Sequence, residues 1–212
     1  MNLPNSLTLS RIVMIPIFLW ILSSSFPWKG NGTQELLASI LFILASITDG
    51  VDGYLARKRA QVTTIGMLLD PIADKMMVTA ALVALVSYMP QIVKVWITVV
   101  IIGREFLISG LRSIASSEGF TIQASDLGKL KTVVQIVAVV SCLLAHGWYQ
   151  WHVGFVIIPV YWYAVASIYF AVAVSTISAI DYFVGFWKQI DHASADRRKA
   201  TVIARRKSAS IL

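Results

Sequence analysis

Long apolar stretches dominate this sequence of 212 residues and limit what it can fold into. Hydrophobic residues make up 57% of the chain, charged residues make up 14%, and the mean hydropathy is +0.73. A helix needs about 20 apolar residues to cross a bilayer, so the chain has room for about six such helices and no separate soluble domain. The sequence therefore predicts an all-α integral membrane protein with six transmembrane helices, at about residues 8–26, 34–55, 65–89, 92–113, 130–146 and 156–187.

The distribution of charge predicts how the chain sits in the membrane. Lys and Arg outnumber Asp and Glu by 18 to 11, and the formal net charge is +7. The basic residues lie mostly at helix ends and in the last part of the chain, which favours an anionic membrane surface over nucleic acid as the partner. Basic loops stay in the cytoplasm, so both termini are predicted to be cytoplasmic. We divide the chain into a membrane domain, residues 1–187, and a basic tail, residues 188–212, which is expected to be flexible.

Four aspartates lie close together in otherwise apolar sequence. Asp49 and Asp52 are three positions apart, and Asp70 and Asp74 are four apart, so each pair shares one face of a helix. The short connection between the two predicted helices makes them antiparallel, with the carboxylates near one end. Ionisable groups at membrane depth are costly and mark functional sites. Four carboxylates that converge there predict a site for a hard cation such as Mg²⁺, Mn²⁺ or Ca²⁺.

The residues after Asp52 are suited to a bound ligand. Gly53 and Ala56 are small and leave room for a ligand or a neighbouring helix to approach closely. Arg57 carries a planar guanidinium group that suits phosphate. The alternative interpretation, in which the aspartates are solvated acids at two helix ends beside a basic loop, gives these three residues no role.

This segment resembles the signature of the CDP-alcohol phosphotransferases. The signature is Asp-x-x-Asp-Gly-x-x-Ala-Arg, then eight residues, then Gly-x-x-x-Asp-x-x-x-Asp. Its fixed positions are all matched, by Asp49, Asp52, Gly53, Ala56, Arg57, Gly66, Asp70 and Asp74. The resemblance implies an enzyme that transfers the phosphatidyl group of CDP-diacylglycerol to an alcohol and releases CMP. It also implies a homodimer in a bacterial cell membrane, with the active site facing the cytoplasm.

The resemblance further implies a role for each signature residue. Asp49, Asp52 and Asp70 hold two Mg²⁺ or Mn²⁺ ions, with Asp70 bridging them. Asp74 completes the metal site and acts as the general base for the acceptor hydroxyl. The implied contacts to the CDP group are Asn5, Thr8, Gly53, Arg57 and Thr63. The first two of these residues are equally suited to capping the first helix.

A second group of charged residues lies in the fourth and fifth predicted helices. Arg104 and Arg112 are eight positions apart and fall on nearly one face, and Lys129 and Lys131 stand where the fifth helix begins. Two interpretations remain open: a clamp for phosphate, or an ion pair of Arg104 with Glu105 or with another helix. The segments GREF, LRS and GKLKT are similar to the branch of the family whose acceptor is glycerol 3-phosphate. That similarity implies that the four cations bind the acceptor's phosphate.

Two other functions remain as alternatives. A related enzyme of the family would use inositol phosphate, serine or phosphatidylglycerol as acceptor, although serine has no phosphate for the cations to bind. A cation transporter that uses the carboxylates as an ion path is more remote, because the sequence shows neither inverted repeats nor broken helices. His146 and His152 lie in an aromatic connection without Lys or Arg, and we interpret them as interfacial residues rather than metal ligands.

Overall fold

A computed structural model gives the fold of the chain as a bundle of six α-helices in the residues that it describes. It describes the backbone of residues 3–28, 30–59, 64–118, 126–153 and 156–209, and the side chains of residues 9–28, 30–48, 73, 75–118, 128, 130–151 and 157–190. The helices are α1 (Leu3–Ile21), α2 (Thr33–Arg59), α3 (Thr64–Tyr88), α4 (Val95–Ser117), α5 (Asp126–Gly147) and α6 (Val160–Ala209). A 3₁₀ turn (Gly30–Gly32) precedes α2, and an antiparallel hairpin of β1 (Trp151–Val153) and β2 (Val156–Ile158) joins α5 to α6. The all-α class and the six helices are confirmed.

The observed helices differ from the predicted ones mainly at the two ends of the chain. Helix α1 begins five residues earlier than predicted, with Pro4 in its first turn, where the missing N–H of proline costs no helical hydrogen bond. Helix α6 begins at Val160 instead of residue 156, because Val156–Ile158 pair with β1 and Pro159 comes between the strand and the helix. Proline lacks the N–H that an uninterrupted helix would use there.

Helix α6 is also much longer than the apolar stretch that predicted it. It has 50 residues and continues without a break through residue 187, so the segment that was expected to be a flexible tail is helical as far as Ala209. This segment contains neither Gly nor Pro and is rich in Ala, Arg and Lys, which are strong helix formers. At 1.5 Å per residue the helix is about 75 Å long, more than twice the thickness of a bilayer's hydrocarbon core.

Apolar side chains fill the interior of the bundle and also cover much of its outside. Phe18 of α1 and Phe42 of α2 are fully buried with ring centroids 6.0 Å apart, and Cys142 of α5 is a free, buried thiol. Large apolar residues such as Val133, Val137, Phe170 and Ile177 are exposed on the outer faces of α5 and α6. Such exposed apolar faces are typical of a membrane or protein contact. Within the described residues, the segments Leu130–Gly147 and Val160–Ile190 are each long and apolar enough to cross a bilayer.

Three helices meet at one end of the bundle in a polar group that we call the Glu35 cluster, consisting of Glu35, Tyr88 and His146. The Tyr88 hydroxyl donates a hydrogen bond of 3.1 Å to Glu35 Oε1, and His146 Nδ1 lies 2.6 Å from the same oxygen. The rings of Tyr88 and His146 stack with centroids 4.0 Å apart. Since Glu35 is at the start of α2, Tyr88 ends α3 and His146 is at the end of α5, the cluster fixes the relative directions of these helices. Helices α2 and α3 are therefore antiparallel, as predicted.

The same end of the bundle depends on a glycine before α2. Gly32 is buried, has a φ of +74°, and would place a β-carbon inside the indole of Trp148. We expect Gly32→Ala to lower the free energy of unfolding by about 3 kcal/mol, from left-handed backbone strain together with overpacking. The measurement is thermal unfolding of the purified protein in detergent. Gly30→Ala is the matched control, since a β-carbon at Gly30 has no atom within 4 Å. Equal melting temperatures for the two variants would contradict this account.

Candidate active site

The backbone brings the four predicted metal ligands to one level of the bundle. Asp49 on α2 and Asp74 on α3 each lie fourteen positions from a member of the Glu35 cluster, which is about 21 Å along either helix. Asp52 and Asp70 lie within about another turn, on the side away from the cluster. The chain runs away from the Glu35 cluster along α2 and back toward it along α3. Both pairs of aspartates therefore lie at about the same distance from that cluster. The four carboxylates themselves are outside the described side chains, so their predicted role as ligands stays a prediction.

The residues predicted to contact CDP fall partly at the same level. The Gln34 side chain donates hydrogen bonds of 2.6 Å to the carbonyl of Ile21 and 3.2 Å to that of Ser23, which ties the end of α1 to the start of α2. Asn5 and Thr8 lie about 20 to 24 Å back along α1 from that point, level with the aspartates. Gly53 and Arg57 follow Asp52 on α2. The side chains of Asn5, Thr8 and Arg57, the surroundings of Gly53 and the whole of Thr63 lie outside the described part of the chain.

A described cluster of charged residues joins α4, α5 and α6. Arg104 Nη1 donates a hydrogen bond of 2.9 Å to Glu105 Oε1, and Arg104 Nη2 donates one of 2.8 Å to Ser178 Oγ. Lys131 Nζ donates to the same oxygen of Glu105. Lys131 lies fifteen positions before His146, about 22 Å along α5, so the cluster sits near the level of the aspartates. The ion pair of Arg104 with Glu105, left open in the sequence, is present.

The cluster is well shielded from solvent, and part of Arg104 has no hydrogen-bond partner. The Arg104 and Lys131 side chains are each 10% exposed, and that of Glu105 is 17% exposed. Among the described residues, nothing accepts a hydrogen bond from the buried Nε of Arg104. A buried donor without an acceptor is costly, and a bound anion would satisfy it. The ion pair and a phosphate contact are therefore compatible.

Of the other two cations predicted to bind the acceptor, only Arg112 has a described side chain, and its described contact lies outside this cluster. Arg112 is exposed and lies over the ring of Tyr182 on α6, with its guanidinium carbon 5.8 Å from the ring centroid. Such a cation–π contact is worth about 0.5–1 kcal/mol at an exposed site. The side chain of Lys129 is outside those described. The predicted contacts of all four cations with the acceptor phosphate stay predictions.

Sequence analysis missed two partners of these residues. It did not identify Ser178, which is separated from Arg104 by 74 residues, or the carboxylate of Glu105 as the shared partner of two cations. It also missed the Glu35 cluster, whose members lie on three different helices. A charged residue directly before an apolar run was the only signal for Glu35, and it does not reveal a partner 111 residues away.

Fold and site together define an α-helical protein with apolar outer faces and a charged site toward one end of its bundle. The family model for CDP-alcohol phosphatidyltransferase matches residues 1–177. The chain therefore belongs to the CDP-alcohol phosphatidyltransferase family and is a transferase.

Several bacterial relatives carry the same name, CDP-diacylglycerol–glycerol-3-phosphate 3-phosphatidyltransferase. The Bacillus subtilis protein is 40% identical over 196 residues, covering 89% of this chain and 97% of the relative. The protein of Wigglesworthia glossinidia brevipalpis is 32% identical over 195 residues, covering 90% and 97%. That of Rickettsia typhi is 39% identical over 143 residues, covering 68% and 76%. The similarity to the first two spans nearly the whole length of both chains.

Proposed function

We propose that this protein transfers the phosphatidyl group of CDP-diacylglycerol to glycerol 3-phosphate, giving phosphatidylglycerophosphate and CMP. The observation that carries the proposal is the 40% identity, over 97% of its length, to a relative named for this reaction. The complete signature from Asp49 to Asp74 supports the phosphatidyl transfer. The cation cluster supports an acceptor that carries a phosphate, because Arg104 and Lys131 are shielded from solvent and the buried Nε of Arg104 has no acceptor among the described residues.

The donor set of the site fits a divalent metal. Asp49, Asp52, Asp70 and Asp74 are carboxylates on two antiparallel helices at one level, and hard oxygen ligands of this kind suit Mg²⁺ or Mn²⁺. These four residues would hold two ions. Such ions, when bound, neutralise charge on the diphosphate of the donor and on the departing CMP.

The protein's own residues orient the two substrates and move one proton. Asp74 takes the proton of the acceptor hydroxyl as its oxygen attacks the phosphorus that carries the diacylglycerol. A new P–O bond forms, the bond between that phosphorus and the bridging oxygen of the diphosphate breaks, and the electron pair leaves with CMP. Asn5, Thr8, Gly53, Arg57 and Thr63 hold the CDP group. The cations Arg104, Arg112, Lys129 and Lys131 hold the phosphate of the acceptor.

In the proposed arrangement all six helices cross the bacterial cell membrane and the aspartates face the cytoplasm. Basic residues follow Asp52 at the end of α2, at Arg57, Lys58 and Arg59, and recur in the last part of α6, and both termini then lie inside. The connection between α5 and α6 contains Trp148, Tyr149 and Trp151 without any Lys or Arg, as expected for an outer interface. The exposed apolar faces of α5 and α6 support contact with lipid. A homodimer in this membrane is proposed from the family resemblance.

The test is CMP release by the purified protein in detergent with CDP-diacylglycerol and Mg²⁺. Glycerol 3-phosphate, inositol phosphate, serine and phosphatidylglycerol are supplied separately, and a reaction without acceptor is the control. We expect release with glycerol 3-phosphate to be faster than with each other acceptor, and at least about tenfold faster than with serine, which has no phosphate, because loss of a charge-assisted contact costs about 1.5–3 kcal/mol. The lipid product is identified by mass spectrometry.

Each other outcome of this test points to a different function. Activity with inositol phosphate or phosphatidylglycerol alone would change the acceptor and keep the metal site. Activity with serine alone would also contradict the proposal that the four cations bind a phosphate of the acceptor. No CMP release with any acceptor would contradict the proposed transfer and return the cation transporter as the working hypothesis.

A further inference from the structure

Glu105 occupies a central position in the charged cluster. One of its carboxylate oxygens accepts hydrogen bonds from Arg104 on the same helix and from Lys131 on α5. Two cations that are each only 10% exposed repel each other strongly unless a negative charge lies between them. Glu105 supplies that charge and leaves the group of three side chains with one net positive charge.

The guanidinium of Arg104 is fixed from two sides. Glu105 binds Nη1, and the hydroxyl of Ser178 on α6 binds Nη2 at 2.8 Å. The remaining donor, Nε, is buried and has no acceptor among the described residues. Because guanidinium is planar, holding Nη1 and Nη2 also fixes the direction in which the Nε–H bond points.

We infer that Glu105 is a positioning residue that holds Arg104 and Lys131 in the geometry in which they bind the acceptor's phosphate, and that Ser178 assists it. The inference rests on the proposed function and deepens it. It explains how two long, intrinsically flexible cationic side chains are ordered before the substrate binds. Preorganised cations lose less conformational entropy when the ligand binds. The acceptor class that follows is a small alcohol that carries a phosphomonoester. Its two negative charges exceed the one net positive charge of Arg104, Glu105 and Lys131 together.

The opposite role for Glu105 would be to compete with the phosphate for the two cations. The contacts argue against it, because Glu105 binds Arg104 at Nη1 and neither it nor any other described residue accepts a hydrogen bond from Nε. An internal competitor would be expected to occupy that side as well. The two roles predict opposite changes in KM for the acceptor when the carboxylate is removed, so kinetics distinguishes them.

The experiment compares steady-state kinetics of the full-length protein and its variants Glu105→Ala, Glu105→Gln and Ser178→Ala. We expect Glu105→Ala to raise KM for glycerol 3-phosphate about tenfold to a hundredfold, while kcat and KM for CDP-diacylglycerol stay within about threefold. Glu105→Gln keeps an oxygen acceptor and should restore part of the loss. Ser178→Ala removes one neutral hydrogen bond and should raise KM about threefold to tenfold. Glu118→Gln, at the exposed end of α4, is the matched control and should leave both KM values unchanged.

Three results would overturn the inference. A lower KM for glycerol 3-phosphate in Glu105→Gln would make the carboxylate a competitor of the phosphate. An unchanged KM in the Glu105 and Ser178 variants would remove any role for them at the acceptor. A parallel loss of affinity for both substrates, with a lower melting temperature, would make the cluster purely structural. If Glu105→Ala does not fold, Glu105→Gln and Ser178→Ala decide the question. Failure of the proposed function is a separate result, because the unchanged protein would then release no CMP with glycerol 3-phosphate.

Discussion

Replacing Asp74 with asparagine is expected to lower the rate of CMP release about a thousandfold at saturating substrates. Asparagine has the size and shape of aspartate, but its amide cannot take the proton of the acceptor hydroxyl. Asp74 also lies on α3 at the level of the other three aspartates, where an amide is a weaker metal ligand than a carboxylate. The measurement is the initial rate of CMP release from CDP-diacylglycerol with glycerol 3-phosphate and Mg²⁺.

Asp181→Asn is the matched control for this substitution. Asp181 is an exposed aspartate on α6 that has no part in the proposed site, so its variant should keep the full rate. Binding of CDP to the Asp74→Asn variant, measured by thermal shift, shows whether the protein still folds and holds the nucleotide. Near-normal turnover by Asp74→Asn would contradict the assignment of Asp74 as the general base.

Replacing Asp70 with asparagine is expected to reduce activity by about a thousandfold or more and to raise the Mg²⁺ concentration needed for half-maximal rate. Asp70 would be one of the four carboxylates that hold the ions, and bound ions of this kind contribute several kcal/mol to the stabilisation of charge in the transition state. The measurement is CMP release as a function of Mg²⁺ and of Mn²⁺. Chelation with EDTA should abolish the activity of the unchanged protein, and added Mg²⁺ or Mn²⁺ should restore it.

The metal dependence separates this prediction from a loss of folding. A variant that folds but lacks a ligand responds to higher metal concentration, whereas an unfolded one does not. Lys94→Gln, at the exposed N-cap of α4, is a control for substitution of a charged residue outside the site. Activity that is unaffected by EDTA, together with a normal metal response in Asp70→Asn, would contradict a metal site built on these aspartates.

Much of the fold could be predicted from the sequence because apolar length and helix signals are local. Each of the six observed helices overlaps one predicted helix, and α3 begins and ends within one residue of the prediction. The prediction from apolar length failed in two places, one where pairing between strands decided the outcome and one where helix propensity did. Val156–Ile158 are apolar enough for a membrane helix and pair with β1 instead. The last part of α6 is too polar for a membrane span, yet its residues are good helix formers and continue the helix to Ala209.

The candidate site was also predicted from the sequence only in part. The aspartates were found because their spacing and the fixed residues around them form a continuous signature. The cation cluster was found only in part. The i and i+8 spacing of Arg104 and Arg112 placed both on one helix face, and both reach α6, where Arg104 binds Ser178 and Arg112 lies over the ring of Tyr182. Which residues of another helix lie opposite each arginine depends on helix packing, and spacing along one helix does not contain that information.

The sequence by itself determined the class of protein, the number of helices and the position of the four aspartates along them. These features follow from composition and from patterns that extend over fewer than about 30 residues. Only the tertiary structure decided which charged residues meet. Glu105 pairs with Lys131 across 26 residues, Arg104 with Ser178 across 74, and Glu35 with His146 across 111. The physical reason is that a buried charge pairs with whatever group the packing of the helices places beside it, and that packing is a property of the whole bundle.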